Sequence, residues 1–127
     1  MKTYPLSIIL NESFITDKKF YFISGNEITL MEKIKLKLIE RFRKKESVQI
    51  KYIDSISDFV DEVGLFDDKN IFMVRSLKGV DEAGLNKIKV SESIFIFLQE
   101  NSQKIKKIKN LFSADKDSYL IDCYELD

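Results

Sequence analysis

Apolar and polar residues change their period several times along this chain. "KKFYFISG" (Lys18 to Gly25) is a short, continuous apolar run ending at a glycine, the pattern of a strand buried on both faces. From Glu27 to Lys45, Ile28, Met31, Ile34, Leu38 and Phe42 recur at three- and four-residue steps with Lys, Glu and Arg between them, which predicts an amphipathic helix of about five turns. "SVQIKYI" (Ser47 to Ile53) reads as the next strand. In "DSISDFVDEV", Ile56, Phe59, Val60 and Val63 fall at i, i+3, i+4 and i+7 of a short helix that Asp54 or Ser55 can cap. "NIFMVR" (Asn70 to Arg75) and "SIFIFLQ" (Ser93 to Gln99) are further buried-type strands, joined by a polar segment with a short helix around Asp81 to Ile88. Ile105, Ile108 and Phe112 line one stripe of "SQKIKKIKNLF", and "SYLIDCY" (Ser118 to Tyr124) reads as a fifth strand.

Strands alternating with helices predict an α/β fold: a mostly parallel five-stranded sheet with helices on both faces, because parallel neighbours need crossover connections. With 127 residues, one core is expected. No internal repeat or Gly-, Ser- or Pro-rich linker divides the chain. The only proline, Pro5, lies in an N-terminal arm, so residues 1–17 read as arm and 18–127 as domain. In such sheets, ligands bind at the loops beyond the strands' carboxyl ends, so the chemistry is sought there.

Composition narrows that chemistry. Lys plus Arg number 21 and Asp plus Glu 21, so no overall field draws the chain to nucleic acid or to an anionic membrane. Cys123 is the only cysteine, and the opening "MKTYPLSIIL" lacks a signal-peptide pattern, so a reducing, cytoplasmic setting is expected. No apolar run reaches the roughly 18 to 20 residues of a membrane span. With no histidine, Ser-His and Cys-His nucleophile pairs, imidazole metal sites and a His general base are excluded.

The loop after the first strand, "GNEITLME", stands where a phosphate-binding loop would. A Walker loop needs a second glycine, then lysine and a hydroxyl residue at its end; here the last three places hold Leu30, Met31 and Glu32. Without the lysine, and with Glu32 repelling phosphate, the stretch reads as a plain helix start with Gly25 or Asn26 making the turn. A phospho-accepting receiver domain needs an acid pair after the first strand, an aspartate ending the third and a lysine ending the fifth; Glu27 alone, Arg75 and "YELD" do not supply them. The lysines of "KIKKIK" (Lys104, Lys106, Lys107, Lys109) suit either phosphate contacts or, more simply, the solvated face of a helix. Phe20, Phe22, Phe72, Phe95 and Phe97 lie within strands and are core by default. Asp54, Asp58, Asp61 and Glu62 are spread by helical spacing and read as solvated. Leu65 and Phe66 in "EVGLFDDKN" sit on a turn beside acids. From pattern alone the simpler outcome is a lid folded onto the core edge, worth roughly 1.5 to 3 kcal/mol per side chain; the other is an anchor pair for a partner's pocket.

Taken together and in order, "FYFISGNEITLMEKI", "VGLFDDKNIFMVRSLKG", "IFIFLQENSQKIKKIKNLF" and "SYLIDCYEL" resemble the N-terminal domain of the bacterial DNA polymerase III delta subunit, the clamp-loader subunit that opens the sliding clamp. The resemblance covers the chain from about Phe20 onward. It implies a RecA/AAA+-like three-layer sandwich without a working P-loop, no cofactor and no catalysis by this chain. It also implies that Leu65 and Phe66, flanked by Val63 and Gly64, form the wedge that enters a hydrophobic pocket of the clamp (beta subunit). Family members continue into a small helical domain and a helical collar that these 127 residues do not include. Assembly with the other clamp-loader subunits, and any DNA contact within that complex, is therefore expected of a longer chain. No membrane partner is implied. A P-loop-derived nucleotide-binding enzyme and a generic α/β interaction domain are the alternatives.

Overall fold

The run from Lys18 to Gly25 forms β2 (Phe20–Gly25), which is buried along its whole length. In the computed structural model, which describes residues 2–10, 17–60, 69–100 and 105–123, β2 lies between two parallel neighbours. These are β5 (Ile94–Glu100) and β6 (Ser118–Cys123). Beyond β5 come β4 (Lys69–Val74) and then β3 (Val48–Ile53) at the edge. Beyond β6 a two-residue strand, β1 (Lys2–Thr3), completes the order β1-β6-β2-β5-β4-β3, and every pairing is parallel.

Because side chains alternate across a strand, the sheet divides its apolar residues between two cores. Tyr21, Ile23, Ile71, Met73, Ile94, Ile96 and Ile121 point to one face, where they meet Met31, Ile34, Leu38 and Phe42 of α2 (Ile28–Lys45) and Ile8 of α1 (Pro5–Leu10). Phe20, Phe22, Phe72, Phe95, Phe97 and Leu120 point to the other, under α3 (Glu82–Lys89) and α4 (Lys106–Ala114). Helices thus cover both faces of a three-layer α/β sandwich of RecA-like kind. The second core is largely aromatic: Phe112 of α4 lies 4.8 Å from Phe22 and 5.1 Å from Phe97, centroid to centroid.

Local chemistry sets the helix ends. The Glu27 carboxylate accepts the Thr29 N–H at 3.2 Å and starts α2, while Arg43, Lys44 and Lys45 close it where cations suit the helix dipole. Asp81 accepts the Gly84 N–H at 2.7 Å and caps α3, and at its other end the Lys19 ammonium donates to the carbonyls of Lys89, its last residue, and of Ser91 just beyond it.

Three expectations change. Ile28, at the start of the α2 stripe, is 54% exposed, since its place in the first turn lies beyond the sheet's cover. Among its described residues, the periodic segment after β3 yields only a 3-10 turn, Ile56–Asp58; its Ile56 is buried, whereas Val60 is 67% exposed. Residues 2–10 of the N-terminal arm carry β1 and α1, with Ile8 fully buried and its carbonyl accepting a hydrogen bond from the buried Arg41 guanidinium.

Candidate functional site

The β2–α2 turn lies at the carboxyl edge of the sheet, where this architecture places its ligand crevice. Gly25 has φ +144°, and a Cβ built on it would stand 1.8 Å from the Cys123 carbonyl oxygen. Only glycine permits that approach. The same carbonyl accepts the N–H of Asn26 at 3.0 Å and of Glu27 at 3.2 Å. These are N–H groups that a phosphate-binding loop would aim at its ligand. Here they tie α2's start to the end of β6. Of the three places where a Walker loop carries its ending, Met31 is in the core, Leu30 packs against it, and Glu32 pairs with Lys35 at 2.6 Å.

Beside this turn, Ser24 and Asp122 sit at paired register on β2 and β6. The Ser24 hydroxyl donates to Asp122 Oδ1 at 3.1 Å, and Lys109 of α4 reaches the same oxygen at 2.9 Å. The Lys109 and Asp122 side chains are only 19% and 11% exposed, so this ion pair fastens α4 to the sheet's carboxyl edge. Lys109 therefore leaves the solvated face that the "KIKKIK" pattern suggested, while Lys106 and Lys107 stay exposed and Lys104 lies outside the described residues. Hydrophobic spacing marked α4's inner stripe, but nothing in sequence linked Lys109 to Asp122. Next to them Cys123 is fully buried; burial, with the nearby Asp122 charge adding to it, pushes its thiol up to about 12, so it carries no thiolate nucleophile at neutral pH.

The anchor residues expected from sequence, Val63, Gly64, Leu65 and Phe66, lie outside the described residues, as do Asp61 and Glu62. Their described flanks are fixed differently. On one side Phe59 stands edge-on to Phe72 and Phe95, 5.1 Å from each ring, and Val60 follows it into solvent. On the other, Lys69 opens β4 with its N–H bonded to the Ser47 carbonyl at 3.0 Å. An open cleft of about 340 Å³ adjoins Phe59, walled by Ile56 and Ile88 and rimmed by Lys87 and the 85% exposed Val90. Asp54 and Asp58 are exposed, and among the described residues no group of three or more Cys, Asp or Glu converges as a metal set. No helix of the described residues is long and apolar enough to cross a membrane. Compared with protein-family models and with curated proteins, the chain matches none.

Proposed function

We propose that this chain is the clamp-binding domain of a clamp loader of the DNA polymerase III delta kind. It docks on a ring-shaped sliding clamp through Leu65 and Phe66, with Val63 and Gly64 beside them, and helps to open the ring without hydrolysing nucleotide. The observation that carries this reading is the closed β2–α2 turn: a RecA-like sheet keeps its order, yet two N–H groups at the phosphate position are bonded to the Cys123 carbonyl. An architecture of this type with its cradle closed is suited to binding work, not to phosphoryl transfer. The exposed Val60 and Val90, beside the apolar cleft at the root of the anchor segment, add to the support for protein docking at this corner. The setting is cytoplasmic, and contacts with further loader subunits and with DNA belong to the assembled complex.

Ring opening on this reading is distortion driven by binding. The anchors favour a clamp conformation with a loosened interface, and the shift in the ring's equilibrium equals the difference in affinity for its two states. The test is binding of the chain to a bacterial sliding clamp by surface plasmon resonance. Leu65→Ala with Phe66→Ala is expected to weaken binding by at least about 2 kcal/mol, the scale of an anchor pair, with unchanged circular dichroism and melting. Absence of any binding by the unaltered chain, or unfolding of the double variant, refutes the proposal; the second outcome assigns the pair to the core as a lid.

A further inference from the structure

Among the described residues, the edge strand at one end of the sheet order is two residues long; at the other stands β3, with six. A strand edge of that length presents unpaired backbone groups to another chain unless charge, proline or a bulge blunts it. The direction of those groups follows from the ladder. Ser47 and Ile53 give their carbonyls to Lys69 and Arg75 of the β4 side, so by alternation Gln49 and Lys51 also face β4. Val48, Ile50 and Tyr52 then hold their N–H and C=O groups outward. Tyr52 is 61% exposed, and Val48 and Ile50 are half-buried. The strand's one charge, Lys51, is drawn back to 6.0 Å from the Phe72 ring, and Arg75 lies over the Tyr52 ring at 5.7 Å. Neither stands guard over the outward edge.

We propose that two copies of this chain pair edge to edge through β3, antiparallel about a two-fold axis at Ile50. That register sets each outward residue opposite another, so each such pair exchanges both N–H···O bonds. Ile50 meets Ile50 of the second copy, Val48 meets Tyr52, and Gln49 meets Lys51. Apolar residues oppose apolar ones, and no like charges stand opposite within the strand, the arrangement that stabilises cross-strand pairs. Beyond its ends Glu46 and Asp54, both exposed, would face each other, which confines the pairing to the strand itself. A net charge of zero leaves no long-range repulsion between copies. A closed isologous dimer results, with one continuous sheet and no long edge of β3 left open.

Light scattering on a sizing column, from about 10 μM to about 1 mM chain, reads the outcome. The unaltered protein is expected to double its mass as concentration rises. Ile50→Pro removes an outward N–H without touching the β4 ladder, and Gln49→Lys places a second lysine opposite Lys51 on each side of the two-fold axis. Each is expected to raise the dissociation constant about tenfold or more. Gln49 is exposed, so its variant keeps the fold and decides the matter alone if the proline variant does not fold. A mass that stays monomeric throughout, or a Gln49→Lys protein that dimerises like the parent, overturns the proposal. Neither result bears on clamp binding.

Discussion

At the residue scale the firmest constraint is Gly25. Its positive φ and the 1.8 Å separation between a notional Cβ and the Cys123 carbonyl oxygen mean that any side chain must push β2 from β6. Gly25→Ala is expected to destabilise the fold by about 3 to 5 kcal/mol, read from urea unfolding, because strain and the loss of the Asn26 and Glu27 bonds act together. A second residue-scale device joins α3 to α4: Lys89 Nζ lies 2.5 Å from Asp115 Oδ2. Burial alone would raise the Asp115 carboxyl, but the Lys89 ammonium and the Asp117 N–H outweigh it and hold the group below its ordinary value. The folded state therefore binds its proton less readily than the unfolded chain. Stability from this source is complete above the ordinary carboxylate range and is lost as pH falls through the lowered value. The difference in unfolding free energy between the parent and Lys89→Met is thus expected to shrink as pH falls from about 7 to about 3.

Among the elements, α4 shows how attachment is divided between grease and charge. Phe112 is fully buried within the phenylalanine cluster, and Lys109 is fastened to Asp122. Phe112→Ala is expected to cost about 3 to 5 kcal/mol by chemical denaturation, the range for emptying an aromatic site in a core. Hydrophobic period identified α4 and its Phe112 stripe because burial is periodic on a helix. The same reasoning overran after β3, where Ile56, Phe59 and Val60 carry helical spacing, yet among the described residues only Ile56–Asp58 turn, as one 3-10 turn, and Phe59 is already extended. Phe59 prefers the Phe72 and Phe95 rings to a helical position, and that contact is made across strands distant in sequence. Tertiary packing overrides local spacing in short segments because a single turn of helix has little stability of its own.

For the whole molecule, residues 2–10 widen the sheet and extend one core. Ile8 is buried, α1 packs on α2, and the Ile8 carbonyl accepts from the Arg41 guanidinium. Deleting residues 1–10 is expected to lower stability by at least about 2 kcal/mol, measured by denaturant unfolding, since the deletion exposes core and removes that acceptor. The arm's short segments gave no strong period of their own. Its place on β6 is set by a partner strand more than a hundred residues away, which no local pattern records.

By itself the sequence determined what is periodic or compositional: five strands, most of them of buried type, their intervening helices, two-sided burial of the sheet and the exclusion of histidine chemistry. It also exposed the missing Walker lysine and drew the eye to Leu65 and Phe66, whose role rests on the resemblance and on the binding test. The tertiary structure alone decided the order β1-β6-β2-β5-β4-β3, with β3 last among the described strands, the closure of the Gly25 turn on Cys123 and the Lys109–Asp122 tie. The reason is physical: burial has a period that a sequence displays, whereas strand adjacency and ion pairing join residues far apart in the chain, and only the folded backbone brings those together.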